Sequence, residues 1–218
     1  MVGSAVEQRE PRLRADACRN RERIVAAARE ALVEHGVEVP FDEIARRAGV
    51  GNATLYRHFP DRRELLRTVI LSVLARTAEQ AEAALAEEAD AFGALSRFVH
   101  TAADERIGAL CPLLSDVFES REPAFAEARA RLQHAVEDVV DAAHQSGQLR
   151  PDVAVGDLMV AVTQLARPLP GTACFTIDRF VHRHLELLLD GLRNPGRSVL
   201  PGTATTFDDL HQLGEAGR

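Results

Sequence analysis

The residues whose types and spacing could do chemistry lie between Phe41 and Leu66. Gly51, Asn52 and Ala53 are short residues in a row. Thr54, Tyr56, Arg57 and His58 follow with hydroxyl, guanidinium and imidazole groups, and Arg62 comes just after Pro60. Such groups donate to phosphate oxygens. Arg57 is long enough to reach a phosphate or a guanine edge, and the sequence does not decide which. Three more arginines, Arg12, Arg14 and Arg19, lie upstream and add positive charge. The chemistry implied is recognition of a polyanion, not bond-making.

The charge distribution points the same way once it is divided. The chain of 218 residues carries a formal net charge of −7. Residues 1–67 hold 13 Arg against 11 acids, whereas residues 68–218 hold 13 against 22. Within the first part six arginines fall between Arg9 and Arg23 and six more between Arg46 and Arg67. A small basic module joined to an acidic body is the arrangement expected of a polyanion-binding head with a separate helical partner.

The elements that must position these groups are helices. Ala, Leu, Glu and Arg dominate, and no alternating β-branched run is present, so the expected class is all-α. Ile24, Ala28, Ala31 and Leu32 mark one face of a helix over 21–35, with Gly36 as its stop. A short helix near 41–47 buries Phe41, Ile44, Ala45 and Ala48. Gly49 supplies a turn, Asn52 is placed to cap a third helix ending before Pro60, and Asp61 with Glu64 resembles a capping box for a long fourth helix toward Ala86. Leu55 and Phe59 take the inner side of the third helix, which leaves Tyr56 outward. Further helices are expected near 90–104, 107–119, 123–146, 152–167 and 174–193. Residues 194–218, rich in Pro, Gly and Thr, read as a flexible tail in which Phe207, Leu210 and Leu213 could form one amphipathic turn.

Two short helices joined by a glycine turn, the second lined with polar and basic groups, form the pattern of a helix-turn-helix. The elements Ile44-Ala45, Ala48-Gly49-Val50, Thr54-Leu55-Tyr56 and His58-Phe59-Pro60 stand in an order and spacing that resemble the N-terminal domain of TetR-type transcriptional regulators. The resemblance is specific across roughly 21–70 and only architectural beyond. Two features depart from it. Val39-Pro40-Phe41 offers no side-chain cap to the second helix, and Arg62 stands where the family usually has lysine.

The resemblance implies a basic arm at 1–20, a DNA-binding domain at 21–66 and a helical effector-binding and dimerisation domain at 67–193. It also implies a homodimer on a palindromic double-stranded DNA operator, a small-molecule effector of unknown identity that releases a repressor, and a cytoplasmic protein. In the second domain the polar and aromatic groups named for a pocket are Phe92, Phe98, His100, Cys111, Phe118, His134, Met159, Thr163 and Gln164. The last two helices carry more apolar surface than one packing face needs. Val155, Leu158, Val162, Val181, Leu185, Leu188 and Leu189 are therefore the expected dimer contacts, with Leu187 outside the stripe. The alternative is an effector-independent DNA-binding protein that acts as activator or architectural factor through a protein partner.

Other classes find no support. No GxSxG, Walker lysine, GxGxxG or HExxH occurs, and lysine is absent altogether, so no enzyme and no cofactor are expected. His182 and His184 point about 200° apart on a helix and cannot share one metal ion. Three widely spaced cysteines make no disulfide framework or zinc knuckle, and no apolar run approaches a membrane span.

Overall fold

The computed structural model describes residues 9–105, 122–167, 174–196, 198–207 and 209–210. Among these the regular structure is eight α-helices with no strand: α1 Arg9–His35, α2 Phe41–Ala48, α3 Asn52–His58, α4 Arg62–Glu87, α5 Ala91–Asp104, α6 Pro123–Gln145, α7 Val155–Leu165 and α8 Cys174–Leu192. The chain divides into two compact units, Met1–Ser72 and Val73–Arg218. The division falls six residues beyond the boundary expected at 66, because the first turns of α4 pack with the first unit.

In the first unit Ile24, Ala28, Ala31 and Leu32 of α1 are buried, with Ile44 and Ala45 of α2, Leu55 of α3, and Phe59. Pro40 precedes α2 with no side-chain cap, as the sequence indicates. The α2–α3 turn depends on Gly49 in two respects. Gly49 has φ 63°, and Val50 N–H reaches back to the Ala45 carbonyl at 3.0 Å to close the helix end. The Arg23 guanidinium lies where a Cβ at Gly49 would stand, and it donates to the Gly49 carbonyl at 3.2 Å.

Two expectations change here. The basic arm is helical from Arg9. Pro11 sits in the first turn, where proline is tolerated, and the residues that follow are good helix formers that need no buried face to continue α1. Asn52 is the first residue of α3 and not its cap, a position occupied by Gly51. Asp61 does cap α4, accepting the Glu64 N–H at 2.8 Å.

The second unit buries Phe92, Leu95, Phe98 and Val99 of α5 against Val136 and Val139 of α6, Val162 of α7, and Leu185 and Leu189 of α8. Leu149 and Arg193 form an isolated antiparallel bridge that ties the end of α8 to the turn after α6. The side chain of Arg150, nearly buried, pairs with Asp152 at 2.6 Å and donates to the Ser198 carbonyl at 2.7 Å. Gly156 N–H donates to the Thr205 carbonyl at 2.8 Å, and Asp157 accepts the Thr205 N–H at 3.1 Å. A side chain at Gly156 would collide with that carbonyl.

Thr205 and Thr206 are therefore seated against the start of α7, and Ser198 against Arg150, where the sequence suggested a free tail. The composition rule fails because the Thr205 backbone pairs with Gly156 and Asp157, and the Ser198 carbonyl with Arg150. The helix expected at 107–119, Pro112 and Leu213 lie outside the described residues.

Candidate nucleic-acid interface

Helix α3 separates its two faces sharply. Leu55 is fully buried and Phe59, just past the helix, is too, whereas Gly51, Asn52, Ala53, Tyr56 and Arg57 are exposed and Thr54 is half-buried. Tyr56 is 52% exposed, and its ring leans on Phe41 with centroids 5.3 Å apart. Apolar support on one side and solvent on the other leaves a phenol held in place with an accessible hydroxyl. Among the described residues Arg57 makes no ion pair and is exposed, so its guanidinium is available to a ligand.

Several groups named from the sequence stand elsewhere. Arg62 donates to the carbonyl oxygens of Val37 and Val39, the latter at 2.7 Å, and lies 5.4 Å from the Phe41 ring centroid. It holds the loop between α1 and α2, whose two carbonyls engage both of its terminal nitrogens. The Nε2 of His58 is buried without a hydrogen-bond partner. Desolvation, aided by Arg57 and Arg21, pushes the imidazole below its ordinary value. This disfavours the charged form of the ring on this face. Arg19 pairs with Asp16 on α1. Arg12 and Arg14 belong to the helical backbone of α1, and their side chains lie outside the described ones.

The raw count of basic residues overstates the free charge. Glu43 takes Arg46 and Arg47 at 2.7 Å each, and Arg47 also reaches Glu34 at 2.6 Å. The hydrogen bonds from Arg46 and then Arg47 pull the Glu43 carboxyl down to about 2. The i, i+3 and i, i+4 spacing of these residues on α2 was a readable sign of the pairing. Arg21 lies 4.5 Å from the Phe59 ring centroid and donates to Thr68 at 3.2 Å. Sequence reasoning missed one contact on this face: Asn52 Nδ2 donates to Asp42 Oδ1 at 2.7 Å.

The residues named for a pocket do not form one group. Phe92, Phe98 and Met159 are buried in the core of the second unit, His134 and Gln164 are exposed, and Thr163 is half-buried. His100 faces His182, with Nδ1 atoms 2.7 Å apart, and Glu186 at 2.8 Å. His182 also meets Asp104 at 3.0 Å, so it is a surface link between α5 and α8. Cys111 and Phe118 lie outside the described residues.

The contacts named for a dimer are corrected in the same way. Val155, Leu158, Val162, Val181, Leu185 and Leu189 are buried within the single chain, where the neighbouring helices cover them. Leu188 is half-buried. Among the described side chains of α7 and α8, the large apolar ones left exposed are Val160, Phe180 and Leu187.

Comparison with known proteins follows this division. Residues 24–69 match the family model described as bacterial regulatory proteins, tetR family, and residues 89–194 match a transcriptional regulator SbtR-like C-terminal domain. The TetR transcriptional regulator SCO0520 from Streptomyces coelicolor is 30% identical, over 81% of this chain and 99% of that one, with a TM-score of 0.63. A TetR transcription regulatory protein from Mycobacterium vanbaalenii is 32% identical, over 83% and 99%, with a TM-score of 0.58. The HTH-type transcriptional regulator SAB2452 of Staphylococcus aureus is 44% identical over 59 residues, 27% of this chain. The match spans about a third of the length of the curated relatives, 32% in that case. Among the described residues no helix is long and apolar enough to cross a membrane.

Proposed function

Because this chain belongs to the TetR family of bacterial regulatory proteins, we propose that it is a cytoplasmic repressor that binds its operator as a homodimer and leaves it when a small molecule binds. The observation that carries the reading is the face of α3. Leu55 and Phe59 anchor the helix while Asn52, Tyr56 and Arg57 are exposed together, which suits a recognition helix in a major groove. Small residues at 51 and 53 let the helix approach the base edges closely.

A homodimer is favoured by two arguments. One helix-turn-helix touches few base pairs, and a second copy on the same frame adds on the order of 10²–10⁴ in avidity. Val160, Phe180 and Leu187 are among the large apolar side chains that remain exposed, and they lie on α7 and α8, the two helices from which the frame is expected. Two copies related by a two-fold axis would read a palindrome.

The effector domain is the helical second unit, and the test addresses it directly. The operator is first selected from random DNA. The protein–operator complex is then titrated with a metabolite library. Release by one compound class supports the repressor reading. Retention of DNA with every compound would favour effector-independent action.

A further inference from the structure

The geometry points to Asp42 as a positioning residue that fixes how Asn52 meets a base, so that adenine is preferred opposite Asn52. The inference rests on the DNA-binding reading above and concerns the specificity of that same face.

Asn52 opens α3 and is exposed. A free asparagine amide turns about its last torsion between two nearly equivalent states and can offer either its oxygen or its NH2. Here the choice is made by a neighbour. Asp42, in the first turn of α2, accepts from Asn52 Nδ2 at 2.7 Å. A carboxylate only accepts, so the amide oxygen cannot occupy that position without two acceptors facing each other. Oδ1 and one remaining N–H are left for the ligand.

That pair matches one purine and not the other. In the major groove adenine sets an N6–H donor beside the N7 acceptor, and an amide meets both. Guanine sets two acceptors, O6 and N7, and would place O6 against Oδ1. Thymine, with O4, is mismatched for the same reason. An amide released from Asp42 could flip and donate to guanine, so the lock is what separates the two purines.

A second consequence follows from charge. Asp42 is exposed and joined to the face that meets DNA, so its carboxylate weakens phosphate attraction for every sequence. Such a residue lowers general affinity while sharpening selection. A carboxylate that merely completed the N-terminus of α2 would change stability and leave base choice alone.

The test selects sites from randomised duplex DNA with full-length wild type, Asp42→Ala, Asp42→Asn and Asn52→Ala, each checked by thermal unfolding. Wild type should show adenine at one position of each half-site, and Asn52→Ala should lose that preference. Both Asp42 variants should accept adenine and guanine there, with discrimination reduced about tenfold, and should bind random DNA more tightly. Asp42→Asn keeps the shape of the side chain and carries the test if Asp42→Ala does not fold. Guanine or thymine in wild type at the position lost in Asn52→Ala would overturn the inference. So would folded Asp42 variants that keep the wild-type preference, and in that case the DNA-binding reading survives. Failure of wild type to select any sequence would remove that reading as well.

Discussion

Arg62 donates to the carbonyl oxygen of Val39 at 2.7 Å and also to that of Val37, while its guanidinium lies 5.4 Å from the ring centroid of Phe41. Phe41 in turn supports Tyr56 at 5.3 Å. The arginine at the start of α4 thus braces the shelf on which the exposed tyrosine rests.

Replacing Arg62 with Ala should leave both carbonyls without their charged donor and cost roughly 1.5–3 kcal/mol. Denaturant unfolding measures this. The slope of log K against log[salt] for DNA should stay as in wild type, since Arg62 is occupied within the protein. A change of about one in that slope with no loss of stability would return Arg62 to the phosphate contacts.

Arg57 is the contrasting case. Its substitution by Ala should reduce the salt slope by about one if it meets a phosphate, or relax selection at one base if it meets guanine. Stability should move by less than about 0.5 kcal/mol, because the side chain is exposed. Affinities measured at several salt concentrations separate the two roles.

Tyr56→Ala should weaken binding to operator and random DNA alike, by about tenfold, because a hydroxyl donating to a phosphate carries no sequence information. Only part of the ring is buried, against Phe41, so unfolding should change little. A loss confined to the operator would assign Tyr56 to a base instead.

The Glu43 cluster sets an acid limb. Its folded-state carboxyl is held at about 2, below the ordinary value, by Arg46 and Arg47. The group therefore adds stability above the unfolded carboxyl value, and that contribution is lost as pH falls toward 2. Glu43→Gln should flatten the decline of thermal stability with acid over this window. An unchanged acid limb would mean that the pairing contributes nothing in solution.

Leu187→Glu, alone or with Phe180→Glu, should give a folded monomer with weak, unselective DNA binding, since both positions are exposed on α8. Leu185→Glu or Leu189→Glu should instead unfold the second unit, because a charge would enter the core. Sedimentation together with circular dichroism distinguishes dissociation from unfolding.

The sequence by itself determined which faces of the helices around Ile24, Ile44 and Leu55 are buried. The 3.6-residue period placed Leu55 and Phe59 inward and Tyr56 outward, and Leu187 fell outside the apolar stripe of α8, because the side a residue faces is a local property of helix geometry. The pairing of Glu43 with Arg46 and Arg47 has the same helical spacing, although the count of basic residues overlooked it.

Only the tertiary structure decided what long polar side chains hold and how many faces a helix buries. The partners of Arg62 lie 23 and 25 residues away in the chain, and Asn52 finds Asp42 across a turn, so no local spacing announces either contact. Val155, Leu185 and Leu189 looked like surplus apolar surface until neighbouring helices of the same chain were seen to cover them. Thr205 docks on Gly156 through backbone atoms, which every residue possesses, and composition therefore could not reveal it.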